Sequence, residues 1–181
     1  MKRNIFSLAI RAMFKGPVTI KYPFQPPRPV SEGFRGVPKY APEQCTGCGA
    51  CAEVCPSQCI TVTEKDGKRM FNLWYGKCSF CSRCEEVCPE TPKAIKLSQE
   101  YEISTTDKLS LVSSVEVDMK SCEHCGAWFT TVPLAEKAIK IVTEQTKIEP
   151  ESLDRLSKLC PKCKRDVEAL TLLTAYEEKK R

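Results

Sequence analysis

The sequence predicts an α+β fold held together by bound metal more than by a large apolar core. Three observations predict it. A cysteine run, Cys45-x2-Cys48-x2-Cys51-x3-Cys55-Pro56, returns as Cys78-x2-Cys81-x2-Cys84-x3-Cys88-Pro89. Between the two copies, Asp66-Gly67 separates the strand-like Ile60–Thr63 from Met70–Tyr75, a strong signal for a tight hairpin turn. The second half then carries two further C-x2-C pairs among apolar residues at helical spacing. With 181 residues and 41% hydrophobic content, the chain is one domain or two small ones. Neither half can bury a large core, so metals are expected to act as staples for both.

Residues 4–15 read as a short amphipathic helix. Ile5, Phe6, Ala9, Ile10, Met13 and Phe14 recur at three- and four-residue steps, and Arg3, Arg11 and Lys15 supply the polar side. Gly16-Pro17 stops it, and Val18–Tyr22 has strand character. Residues 23–43 carry Pro23, Pro26, Pro27, Pro29, Pro38 and Pro42, so they are neither helix nor central strand. An extended arm of this length lies across a partner or is disordered, and its Tyr22, Phe24, Phe34 and Tyr40 favour a partner. Charge is concentrated here. Residues 1–40 hold eight Lys and Arg against Glu32, a net +7, while the remaining residues sum to −2. A basic arm can meet nucleic acid, an anionic membrane surface or an acidic protein face. The slightly acidic body argues against nucleic acid, whose binders spread positive charge over the domain. The apolar stretch Leu8-Ala9-Ile10 ends at Arg11, well short of the roughly 20 residues that span a bilayer.

Residues 41–98 form the cysteine-run unit, in which each run is expected to end in a short helix (Ala52–Val54, Glu85–Val87) followed by a strand. The runs have the bacterial ferredoxin spacing, which predicts two [4Fe–4S] clusters. Two-residue steps let the backbone wrap a small cube and aim N–H groups at its sulfurs. The fourth cysteine of such a run, ahead of proline, reaches over to the other cluster. One cluster is therefore assigned to Cys45, Cys48, Cys51 and Cys88, the other to Cys78, Cys81, Cys84 and Cys55. A disulfide framework is disfavoured by the odd count of 13 cysteines and the lack of a visible secretory signal. Structural zinc uses paired knuckles rather than this run. Thiolates holding clusters imply a reducing compartment, most simply the cytoplasm. Cys59, outside both sets, fits a small buried hydrophobe, with an exchangeable ligand as the other reading.

Residues 99–121 are read as a connection. Val115, Val117 and Met119 alternate with Glu116, Asp118 and Lys120, as in a half-buried strand. Residues 122–181 are read as a small helical subdomain stapled by metal. Cys122-Glu-His-Cys125-Gly126 and Cys160-Pro-Lys-Cys163 supply four thiolates, enough for a tetrahedral site. The set suits one structural zinc or a mononuclear iron, and the knuckles resemble those of rubredoxin. His124 reads as a surface residue of its loop. Pro133 suits the first turn of a helix carrying Leu134, Ala138, Ile139 and Val142. Pro150 would open another with Leu153, Leu156 and Leu159, and a last helix would carry Val167, Leu170, Leu173 and Tyr176.

Val18-Thr-Ile-Lys-Tyr-Pro23, then Phe34-Arg35-Gly36, then the doubled run resemble the subunit I family of NADH:quinone oxidoreductase. That family includes the equivalent ferredoxin-like subunits of membrane-bound [NiFe] hydrogenases and formate hydrogenlyase. The resemblance covers roughly residues 1–98. Residues 99–181, with the extra cysteine pairs, look more like the extended formate hydrogenlyase and hydrogenase-4 type. The resemblance implies a non-catalytic electron-transfer subunit, peripheral on the cytoplasmic face of the membrane. It would relay single electrons from an electron-input subunit to a small subunit carrying a further cluster. The alternatives are the equivalent subunit of a respiratory complex and a free soluble ferredoxin, against which the docking arm argues.

Overall fold

The computed structural model describes residues 4–16, 19–145 and 157–167. The chain separates into two units, Met1–Phe34 and Arg35–Arg181.

In the first unit, α1 spans Ile5–Lys15 and ends at Gly16, whose positive φ closes the helix as the sequence predicts. None of its residues is buried, and Phe6, Met13 and Phe14 are 76%, 82% and 88% exposed. The strand expected over 18–22 is not formed by the described residues Thr19–Tyr22, which make a bend and a turn. A strand needs a partner to take its backbone groups, and no ladder among the described residues reaches this segment.

The second unit is built on two sheets. β1 (Pro38–Tyr40) pairs antiparallel with β4 (Ile95–Leu97), Tyr40 opposite Ile95. Residues 35–40, read from the sequence as the end of the arm, therefore belong to this unit. The proline at the strand's start is tolerated because a two-stranded sheet leaves every strand at an edge. Gly36 makes the approach possible: a Cβ there would run into the carbonyls of Ser98 and Glu100. β2 (Ile60–Lys65) and β3 (Lys68–Trp74) form the expected hairpin. Asp66 and Gly67 both adopt positive φ, the backbone of a tight primed turn.

Short helices carry the third cysteine of each run: Cys51 lies in α2 (Ala50–Glu53) and Cys84 in α3 (Arg83–Val87). The segment read as a connection contributes more than expected. β5 spans Val112–Ser121 and lies along β3, and β6 (Trp128–Thr131) pairs with β5, giving a four-stranded sheet ordered β2-β3-β5-β6. Its Val115, Val117 and Met119 face inward as their alternation predicts. α4 (Val132–Gln145) follows at once, with Pro133 in its first turn. The knuckle region is thus continuous with the main sheet. The helices proposed at Pro150 and beyond Val167 fall largely outside the described residues, although 161–167 are helical.

The core joins Ile60, Phe71, Leu73, Ala94, Ile95, Val115 and Val117 with Cys59 and Cys88. Burying a side chain such as Phe71 or Leu73 contributes about 1.5–3 kcal/mol of transfer free energy each.

Candidate cluster and metal centres

Two cavities flank this core, and the cysteines sort between them in a crossed pattern. The first is lined by Cys45, Cys48 and Cys51 from one run and Cys88 from the other, with Tyr40, Phe71 and Ile95 as its apolar wall. The second is lined by Cys78, Cys81 and Cys84 together with Cys55, backed by Ile60 and Leu73. The hairpin separates the runs in sequence, and each short helix turns its run so that the last cysteine points to the opposite cavity. Gly47 and Gly49 in one run, and Phe80 and Ser82 in the other, take positive φ, which wraps each loop around its cavity.

At Cys45, Cys51 and Cys84 burial works against the thiolate, which a bound cationic group would favour. Burial pushes the Cys51 thiol up to about 11 and the Cys84 thiol up to about 12, and neighbouring thiols add to the rise. The Glu85 backbone N–H works against the rise at Cys84, as the Ala52 N–H and the Tyr40 hydroxyl do at Cys51. Burial also raises Cys45, opposed by the N–H of Gly47. Four soft sulfur donors around one apolar cavity, with N–H groups aimed at the sulfurs, fit an iron–sulfur cluster. Tyr40 is placed to act on the first cavity. Its hydroxyl lies 3.7 Å from Cys51 Sγ, and burial followed by the nearby thiols holds its own pKa far above the ordinary phenol range.

Cys59 lines the second cavity as a fifth thiol, 3.4 Å from Cys55 Sγ. Burial pushes it up to about 12. Burial also raises Cys55, but the Ser57 hydroxyl and the Cys59 N–H and S–H outweigh it and bring Cys55 down to about 7. These contacts favour the anionic form at Cys55 and disfavour it at the buried Cys59.

The third centre lies at the end of the sheet. The sulfurs of Cys122, Cys125, Cys160 and Cys163 all lie within 4.8 Å of one another, and those of Cys125 and Cys160 are 3.7 Å apart. Four sulfurs at ~2.3 Å from one zinc stand ~3.8 Å from each other, so the set fits a tetrahedral ion. Cys122 follows directly on β5, and its loop closes through Cys122 N–H to Ala127 O and Gly126 N–H to Cys122 O. The Cys160 N–H donates to Cys122 Sγ at 3.3 Å and the Cys163 N–H to Cys160 Sγ at 3.4 Å. The Cys160 N–H is the main cause that brings Cys122 down to about 6. Cys163 is pushed up to about 12, first by its contact with the Cys160 thiol and then by burial. His124 is exposed, with Nδ1 3.6 Å from Cys163 Sγ, beside the four-sulfur set rather than part of it.

Sequence reasoning missed a set of residues behind the first cavity. Thr131, the last residue of β6, is fully buried and donates its hydroxyl to the Thr46 carbonyl. The Thr46 hydroxyl donates to Glu90 at 2.8 Å, and Lys137 of α4 pairs with the same carboxylate at 2.7 Å. Burial raises Glu90, but Lys137 and Thr46 outweigh it and hold the carboxyl below its ordinary range. Arg69 donates to the Gly47 carbonyl at 2.8 Å. The Trp-Phe-Thr-Thr run of 128–131 carried a strand signal, but nothing local to it named Thr46 as a partner.

Residues 44–91 match the 4Fe-4S dicluster domain family. The chain is 35% identical over 162 residues to formate hydrogenlyase subunit 6 of Escherichia coli, covering 89% of each chain. It is also 38% identical over 63 residues to NADH-quinone oxidoreductase subunit I 2 of Geobacter metallireducens, covering 33% of this chain and 47% of that one. Among solved structures it resembles a chain in the membrane-bound sulfane sulfur reductase, an archaeal respiratory membrane complex, at 28% identity and a TM-score of 0.44, covering 57% of this chain and 56% of that one. No helix among the described residues is long and apolar enough to cross a membrane. The two crossed cysteine sets, the third four-sulfur centre and the relative matched over most of its length lead to one conclusion: the chain belongs to the ferredoxin-like subunit I family, in the branch of formate hydrogenlyase subunit 6.

Proposed function

We propose that this chain is the electron-transfer subunit of a membrane-associated hydrogenase complex, carrying single electrons between two [4Fe–4S] clusters. The observation that carries the reading is the crossed sorting of eight cysteines into two cavities on either side of one small core. A cluster bound in each cavity would accept and release one electron. Cys45, Cys48, Cys51 and Cys88 would hold the first, and Cys78, Cys81, Cys84 and Cys55 the second. The apolar walls exclude water, while backbone N–H groups and the Tyr40 hydroxyl stabilise negative charge on the sulfurs. No acid–base pair is required of such a chain, because the reaction moves an electron and breaks no bond.

The similarity to formate hydrogenlyase subunit 6 over 89% of both chains supports a hydrogenase setting over a respiratory one. The partners would be an electron-input subunit and a small subunit with a further cluster. The basic, apolar helix α1 and the proline-rich residues that follow supply a surface to dock on them, at the cytoplasmic face of the membrane. The four knuckle sulfurs would hold structural zinc, with mononuclear iron the alternative. Isolation of the native protein with its associated subunits tests the reading. A [NiFe] large subunit in stoichiometric amount is the expected result; a quinone-reducing respiratory assembly in its place would overturn the hydrogenase assignment.

A further inference from the structure

The knuckle and the first cavity are joined by a short chain of contacts. Cys122 stands at the end of β5, its loop returns into β6, and β6 delivers Thr131 to the back of the loop that carries Cys45 and Cys48. The fit at that point is close. Gly47 has φ +70°, and a Cβ on it would come within 2.7 Å of the Thr131 methyl. Four residues further into α4 from Pro133, Lys137 holds Glu90, and Glu90 in turn holds the Thr46 hydroxyl. Thr46, Gly47 and Glu90 are all wall residues of the first cavity. The wall of the second cavity comes from residues 38–97 and includes none of the three. Cys48, on the clamped loop, is exposed, so the loop guards a ligand that solvent can reach.

We propose that the knuckle is a lock on the first cluster: with metal bound at Cys122, Cys125, Cys160 and Cys163, Thr131 and Lys137 hold the Thr46–Gly47 loop closed, and metal loss releases the first cluster while sparing the second. The proposal rests on the reading that the cavities hold clusters and the knuckle holds a metal. Thr131 and Lys137 are positioning residues: they touch no ligand sulfur and act through the backbone that aims Cys45 and Cys48. A metal at the knuckle fixes where β6 can lie. Without it, the inner end of β6 is held to β5 only by the pairs Met119–Thr131 and Lys120–Thr130, because the register shifts between Lys120 and Ser121, next to the knuckle.

The test uses the full-length chain, purified without oxygen and carrying both clusters. It is exposed to EDTA, and freed thiols are alkylated over time and mapped by mass spectrometry. Thr131→Val keeps the shape but removes the donor, leaving the Thr46 carbonyl unpaired. It should speed labelling of Cys45, Cys48, Cys51 and Cys88 about tenfold, the scale of one lost buried hydrogen bond. Labelling of Cys55, Cys78, Cys81 and Cys84 should stay at the wild-type rate, and so should that of the four knuckle thiols. Thr131→Ser should restore the slow rate, which a mere packing role for the methyl would not do. Lys137→Met should act in the same direction as Thr131→Val. Cys125→Ser, which removes the exposed knuckle ligand, should lower the bound metal and reproduce the selective loss. Equal acceleration of both sets, or none, in Thr131→Val overturns the lock. Rapid labelling of the knuckle thiols in the wild-type chain before EDTA is added would show that no metal is held there and would also overturn the lock. A second set of cysteines labelled as fast as the first in the wild-type chain, with no iron bound, would show that the cluster reading itself has failed.

Discussion

Five thiols line the second cavity, and the proposed assignment makes four of them ligands and Cys59 their neighbour. Cys55 gathers a hydroxyl, an N–H and an S–H from Ser57 and Cys59, while Cys59 faces the core beside Ile60 and Leu73. Sequence spacing alone left Cys59 open between packing and ligation, because a thiol's role depends on what surrounds it in space. Replacing it tests the division: Cys59→Ala should leave about eight irons per chain, whereas Cys55→Ser should lose the second cluster. The crossed assignment has its own test. Cys88→Ser should damage the cluster whose other ligands are Cys45, Cys48 and Cys51, read as iron content and the EPR spectrum of the reduced protein. If the centre held by Cys78, Cys81 and Cys84 is the one perturbed, the assignment is wrong. Tyr40 sets a third expectation. Its hydroxyl faces Cys51 at 3.7 Å, and a donor to a ligand sulfur stabilises the reduced, more negative cluster. Tyr40→Phe should therefore lower the potential of the first cluster relative to the second in an EPR-monitored redox titration; an unchanged or raised potential would remove Tyr40 from the tuning groups.

Local signals announced the elements that depend on near neighbours. Asp66-Gly67 announced the hairpin because a primed turn requires positive φ at both residues, and Gly16 announced the end of α1 for a similar reason. The elements that depend on distant partners were less legible. Pro38–Tyr40 sits in a proline-rich stretch, and its strand character comes from β4, which lies 55 or more residues further along. β5 was visible through Val115, Val117 and Met119, but its alternation could not reveal that Val112–Asp118 would lie along β3. Strand pairing at long range leaves no mark in either strand beyond one buried face. At this scale the helix α1 carries a prediction. Its apolar residues are exposed and its flanks are basic, the pattern of an interfacial helix. A chain lacking residues 1–30 should still bind both clusters yet fail to co-purify with the small cluster-bearing subunit. Retention of that subunit at normal stoichiometry would assign the anchor to another surface.

For the molecule as a whole, the sequence reading separated a cysteine-run domain from a helical knuckle subdomain, whereas residues 35–181 form one unit. The reason is β5, which is shared: one edge pairs with the hairpin and the other with the strand that leaves the knuckle. That sharing limits how the ferredoxin portion can be moved between proteins. One edge of the sheet is β2, which ends in Glu64 and Lys65, charges that discourage a second chain from adding there. The other edge of the hairpin is β3, and along Lys68–Trp74 it is closed by β5. A chain ended after Ser98 would keep all eight cluster cysteines but uncover seven residues of β3, including Met70, Phe71 and Leu73. Uncovered strands of this composition pair with one another. Such a fragment is expected to self-associate in light scattering at concentrations where the full chain stays monodisperse, and a fragment ended after Ser121 to scatter like the full chain while releasing the first cluster faster, since it lacks Thr131 and Lys137. A monomeric fragment 1–98 with both clusters would show that the cysteine runs are self-sufficient. Otherwise covering β3 already requires the chain to run to Ser121, and a transplantable module that keeps both clusters needs the knuckle beyond it, well past the last cysteine run and its strand.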